Sequence, residues 1–176
     1  AMALAVTGAP RLRDGRHSGD GPAHGEAVAA AVVRGFDAVA AAHEADVDLH
    51  LHAIGDGAVR SALDAIERAK TLHPESDSRT TICHIEIVNA DDVSRFAELG
   101  AVAQTTPTWF YYDTLALRYL GAGRFNQMYP LASILRHGGK VTLGSDYPVS
   151  WIGKDALNPM FNIEMAVTCL LYTSDA

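Results

Sequence analysis

The stretch Val47-Asp-Leu-His-Leu-His-Ala-Ile54 (VDLHLHAI), followed at once by Gly55-Asp56-Gly57, decides the fold. Its apolar and polar residues alternate, the period of a half-buried strand, and Gly55-Asp56 ends it. Past that turn the period changes. Val59, Leu63 and Ile66 share one face of a helix over Gly57–Lys70, with Asp56 placed to cap it. Upstream, Glu26–Ala45 is Ala-rich, carries Val28, Val32, Phe36 and Val39 at helical spacing, and tolerates Gly35 within a helix. Downstream, Thr80–Val88 (TTICHIEIV) reads as a second strand rich in β-branched residues. Asp91–Leu99 reads as a helix that opens on two acids and stops at Gly100. Ala101–Thr105 is a third strand, Leu131–His137 a helix stopped by Gly138-Gly139, and Lys140–Leu143 a fourth strand. Strands alternate with helices at intervals of roughly 30 residues, the βαβ pattern of a parallel sheet. The expected fold is α/β, with about four parallel strands and flanking helices.

Composition narrows the class. The chain has 176 residues, 48% hydrophobic and 20% charged, enough for one globular domain with a sizeable core. A formal net charge of −7 argues against a nucleic-acid partner that needs a basic face. No run of roughly 18 apolar residues occurs, so no membrane-spanning helix and no membrane partner are expected. Two cysteines, Cys83 and Cys169, cannot build a disulfide scaffold or a Cys-rich zinc site. Residues Arg11–Gly25 are rich in Gly and charge, and the whole segment 1–25 reads as irregular or disordered. Ala1–Pro10 has no basic region of the secretory type, so a reduced, cytoplasmic protein is expected.

The chemistry is sought at the carboxyl ends of the strands, where parallel α/β proteins bind ligands. The first strand ends on His50 and His52, two apart and so on one face; the second carries His84 and then Glu86; the fourth runs through Gly144-Ser145 into Asp146. His52, His84 and Asp146 form a donor set suited to a divalent cation, most simply zinc. Such an ion with an open position lowers the pKa of water to about 7, making hydroxide available at neutral pH. His50 lies deeper in its strand and reads first as a structural residue. His17, His24, His43, His73 and His137 fall in tails, helices or helix ends and read as solvated. Cys83, by strand alternation, points away from an inward His84 and reads as a buried structural thiol. The aromatic run Trp109-Phe110-Tyr111-Tyr112 follows the third strand, and Tyr147 and Trp151 follow the fourth. These rings are either pocket walls, with Trp109, Tyr111 and Tyr147 as substrate contacts, or packing for a long loop.

With these motifs in place, LHLHAIGDGAV (Leu49–Val59), the His84 strand leading into DDVSRFAELG (Asp91–Gly100), and VTLGSDYPV (Val141–Val149) resemble the amidohydrolase superfamily. The likeness is to its amidohydrolase-3 branch, the N-substituted formamide deformylase-like proteins, and covers residues 26–168. It implies a distorted (β/α)₈ TIM barrel with one or two divalent metals, in which this chain supplies family strands 5–8. By motif match, His52 and His84 are the fifth- and sixth-strand metal ligands. Asp146 is the eighth-strand aspartate that binds metal and takes the proton of the attacking water. The implied reaction is hydrolysis of an amide-type C–N bond in a small-molecule substrate; a deaminase of the same superfamily is the alternative. Departures accompany the match. A whole barrel needs about 250 residues; the first-strand His-x-His is not found, and the first lysine, Lys70, falls too late to be the fourth-strand ligand. Gly57 stands where the family usually has Arg, Cys83 stands where many members have Glu, and residues 169–176 do not continue the pattern. A partial barrel is therefore expected, inactive by itself and prone to homo-oligomerise through exposed strand edges.

Overall fold

The computed structural model describes residues 2–5, 34–110, 114–148 and 157–168. In chain order they form β1 (Met2–Ala5), α1 (residues 34–44), β2 (Leu49–Ala53), α2 (Asp56–Leu72), β3 (Thr80–His84), α3 (Ala90–Val93), α4 (Arg95–Glu98) and β4 (Val102–Thr105). A 3₁₀ turn (Pro107–Trp109) follows, then α5 (Thr114–Phe125), broken at Gly121, α6 (Leu131–Arg136), β5 (Lys140–Leu143) and α7 (Pro159–Thr168). The strands make one parallel sheet in the order β1-β2-β3-β4-β5. A sheet whose spatial order equals its sequence order is singly wound, so right-handed crossovers lay the connecting helices on one face. This is the arrangement of an arc of a (β/α)₈ barrel, and it contains all four strands expected from the sequence.

Burial shows which face the helices cover. Leu49, Leu51 and Ala53 of β2 and Ile82 of β3 are buried, and the intervening His50, His52 and Thr81 are half-buried. α2 packs on the covered face through Ala58, Val59, Ala62, Leu63, Ala65, Ile66 and Ala69. Four of those seven are alanines, which brings the helix close to the sheet and lets Leu51, Ile82 and Ala103 fill the remaining space. Phe96, fully buried, and Ile134 extend this core under β4 and β5. At the end of α6, Gly138 takes φ +82°, and a Cβ at Gly139 would collide with Ile134, so both glycines are required for the turn into β5.

Several local expectations are corrected. Within the segment 1–25, Met2–Ala5 are not irregular: they pair with β2, Met2 beside Leu49 and Ala5 beside His52. The ladder satisfies their backbone groups, a partner that short apolar sequence cannot announce; residues 6–25 lie outside the described residues. Asp56 does not cap α2. Gly55 holds the N-cap position, and Asp56, in the first turn, pairs with Arg124 at 2.7 Å. The helix expected over Asp91–Leu99 is two short pieces, α3 and α4; the Asn89 side chain accepts from the Asp91 N–H at 3.1 Å, and Gly100 ends the second piece with φ +64°. Asp92 is buried between Arg60 (2.8 Å) and Arg95 (3.1 Å), and Arg95 also reaches Asp64 and Glu67, both at 2.7 Å. This network, not helix continuity, ties the broken segment to α2.

His43 is not solvated: it is 1% exposed, with Nε2 3.2 Å from Thr80 Oγ1. Burial, reinforced by the charges of Lys70 and His73 against that of Asp46, holds its imidazole below the usual value. A depressed folded-state value means that stability is fully present above pH about 6.5 and is lost as the pH falls through the folded value. Urea midpoints are therefore expected to fall below pH about 6.5, and His43→Gln should flatten that fall. Phe96→Ala is expected to cost about 3–5 kcal/mol in the same urea assay at neutral pH.

Candidate active site

β2 and β3 run parallel with His52 directly beside Cys83 and Ala53 beside His84. Register partners in a parallel pair project from the same face, so the ladder puts Cys83, and not His84, alongside His52. The row continues across the sheet: Cys83 lies beside Gln104, and Gln104 beside Thr142. His50 sits one pleat deeper on the same face, beside Thr81. The expectation that Cys83 turns away from the site is thus overturned.

His84 arrives by a different route. Alternation would send it to the helix-covered face, but its backbone adopts φ +74°, and Ile85 follows at φ +45°. Two consecutive left-handed residues end the strand four residues before Val88 and swing the imidazole back. Its ring centre lies 4.3 Å from that of His52, edge to face, and 5.2 Å from that of Trp109, stacked. One Sγ and one imidazole nitrogen from each histidine therefore converge: ligand atoms of His52, Cys83 and His84 all lie within 4.8 Å of one another. Among the described residues this is the compact set of metal-ligand type.

The electrostatics suit ligation by nitrogen. His84 is 7% exposed, and its Nδ1 is buried with no hydrogen-bond partner among the described residues. An unmet buried acceptor or donor of this kind costs roughly 1–3 kcal/mol. Burial pushes the His84 imidazole below its usual value, the His52 and His50 charges act the same way, and Asp146 opposes them. The neutral ring is the form that binds metals. Burial, then the Asp146 charge, pushes the Cys83 thiol up to about 11. A bound cation inverts that preference, because its own charge outweighs both.

The other residues singled out in the sequence divide clearly. Asp146 follows β5 by way of Gly144 and Ser145, takes φ +49°, and is half-buried. It stands outside the compact set, although its charge is felt at both His84 and Cys83. Trp109 is a site residue by virtue of its stack on His84, and its indole N–H is buried without a partner among the described residues. Phe110 turns the other way and packs at 4.3 Å on Tyr129, in a second apolar cluster with Ile87, Phe125 and Met128. The aromatic run thus supplies both a wall and loop packing. Tyr147 is 64% exposed. Tyr111 and Trp151 lie outside the described residues. Sequence reasoning missed Cys83, Gln104 and Thr142 as members of the row. The Cys-His dipeptide at a strand end was the available signal, but register decides between its two residues.

Comparison with known proteins bears on the family and the fold. The amidohydrolase family model matches residues 31–168. Exoenzymes regulatory protein AepA of Pectobacterium carotovorum subsp. carotovorum is 33% identical over 110 residues, 60% of this chain and 23% of that protein. Protein LONG AFTER FAR-RED 3 of Arabidopsis thaliana is 31% identical over 129 residues, 72% of this chain and 21% of that protein. This chain therefore spans less than a quarter of the length of those curated relatives. A crystal structure of an uncharacterized metal-dependent hydrolase from Pyrococcus furiosus superposes with a TM-score of 0.57 at 26% identity, covering 78% of this chain and 31% of that one. No helix among the described residues is long and apolar enough to cross a membrane.

The His84–Trp109 stack generates a direct check. In a Trp151→Phe background, zinc is expected to change the emission of Trp109, because an ion at His84 alters the ring against which it rests. His84→Ala should remove the response, and an unchanged spectrum in the parent would contradict the geometry.

Proposed function

The chain belongs to the amidohydrolase family, and from that premise we propose that it carries part of the metal centre of a hydrolase that cleaves an amide-type C–N bond with water. The observation that carries this reading is the meeting of His52 and His84, ring centres 4.3 Å apart, at the carboxyl ends of neighbouring parallel strands. The donors fit a divalent cation. His84 offers a buried Nδ1 with no partner among the described residues, on a neutral ring, and zinc is the ion that such nitrogen donors favour at a site retaining an open position. When bound, the cation supplies Lewis acidity, which acidifies water and polarises a carbonyl.

The chain's own side chains do the remainder. His52 and His84 would hold the ion. Asp146, whose charge reaches the site, accepts the proton of the attacking water. Trp109 excludes solvent over His84 and forms a flat wall for the substrate, with Tyr147 as a further contact. The substrate in this reading is a small N-substituted amide, and the products are a carboxylate and an amine. Release of ammonia from an aromatic ring would instead favour the deaminase.

A second reading has its own support: the described residues offer three compact donors, and the chain covers 31% of the hydrolase whose fold it shares. In that reading the chain binds metal without turnover and pairs with other chains along the edges of β1 and β5.

Metal analysis after dialysis separates the readings when paired with an N-acyl substrate panel. About one zinc per chain is expected, and His52→Ala should lose it. If the chain hydrolyses any substrate, Asp146→Asn should lower kcat by about 10²–10⁴-fold with zinc retained. Zinc without hydrolysis selects the second reading, whereas a parent protein with no bound metal sinks both.

A further inference from the structure

We propose that Cys83 is the third protein ligand of the cation held by His52 and His84, so that the centre is a two-histidine, one-thiolate site. This rests on the metal-hydrolase reading above and assigns a donor which that reading leaves open. Three independent observations converge on it. The parallel register sets Cys83 directly beside His52, on the face away from the helices. Its Sγ and one nitrogen from each histidine all lie within 4.8 Å of one another. The His84 Nδ1, on a residue 93% buried by difference from its 7% exposure, has no partner among the described residues.

Magnitudes support a shared ion. Zinc bonds of about 2.0–2.1 Å to nitrogen and about 2.3 Å to sulfur set tetrahedral donor–donor edges of roughly 3.3–3.6 Å. Donors already within 4.8 Å need to close by at most roughly 1.2–1.5 Å to reach those edges. A thiol serving only to fill the core would sit among Leu51, Ile82 and Val59 on the helix-covered face; Cys83 is on the other one. The carboxylate of Asp146 is outside the compact set, leaving the sulfur as the near donor. Ligation is balanced simply: the Sγ–metal bond forms as the thiol proton leaves to solvent, and no electron is transferred.

A thiolate has a consequence for which ion is taken. Nitrogen and sulfur donors select borderline ions such as Zn²⁺ or Co²⁺ over Mg²⁺ and Mn²⁺, which prefer oxygen. The site is therefore specialised for the softer ions.

The test uses the full chain with Cys169→Ser, so that Cys83 is the remaining thiol. Under anaerobic, reducing conditions it is titrated with Co²⁺, following absorption and, by equilibrium dialysis, bound metal. The expected result is a strong near-ultraviolet thiolate-to-cobalt band that saturates at about one ion per chain. Zinc should bleach it, and excess Mg²⁺ should not. Adding Cys83→Ser should abolish the band and weaken cobalt binding by at least about tenfold. Should that double variant misfold, the spectrum of the Cys169→Ser protein still decides, because it contains one thiol. Cobalt bound with no thiolate band overturns the Cys83 assignment and leaves the metal-hydrolase reading intact. No cobalt bound at all overturns both.

Discussion

The parallel ladder between β2 and β3 is the constraint on which the site depends. Backbone hydrogen bonds between these strands place His52 next to Cys83, and nothing in either side chain needs to be strong for that to hold. The left-handed turn at His84 and Ile85 then brings the next residue to the same place. Had the strand continued regularly through Val88, His84 would point into the helix layer and the two imidazoles would be separated by the sheet. A non-glycine residue in that conformation costs roughly 1–3 kcal/mol, and such strain concentrates at functional sites.

The scaffold behind the ladder is built to keep that register. Alanines along one face of α2 bring the helix close to β2 and β3, and Leu51, Leu63, Ile66 and Ile82 close the gap. A one-residue slip of β2 would exchange Leu51 for His52 against this helix. The apolar cost of that exchange is what ties the position of the histidine to the core. The buried carboxylate of Asp92, held by Arg60 and Arg95, does similar work between α2 and the segment joining β3 to β4, which is broken into two short helices. Its contribution is geometric as much as energetic, since buried ion pairs largely offset their own desolvation.

Electrostatics at the site run in two directions. Burial and neighbouring imidazoles keep His84 neutral, which prepares it to donate a lone pair, while the same burial keeps the Cys83 thiol protonated until a cation arrives. Asp146 lies between these tendencies, favouring charge on the histidine and opposing it on the sulfur. The Trp109 ring closes one side, and Phe110, the next residue, anchors the loop by packing on Tyr129. One aromatic run thereby serves a wall and a foundation at once, which is why its composition could not separate the two roles.

Much of the fold was legible in the residues themselves. The period-two pattern of Val47–Ile54 and the helical spacing of Val59, Leu63 and Ile66 fixed the βα order, because those periods are local consequences of which faces must be apolar. The positions of His52, His84 and Asp146 at strand ends followed from the same order. The pairing of β1 with β2, the division of α3 from α4 and the burial of His43 did not follow, since each depends on a partner distant in the chain. Above all, local sequence identifies Cys83-His84 as adjacent residues with opposite orientations but cannot say which one meets His52. Only the pairing of strands 31 positions apart, Leu49 with Thr80 through Ala53 with His84, and the backbone reversal at His84 decided that both do.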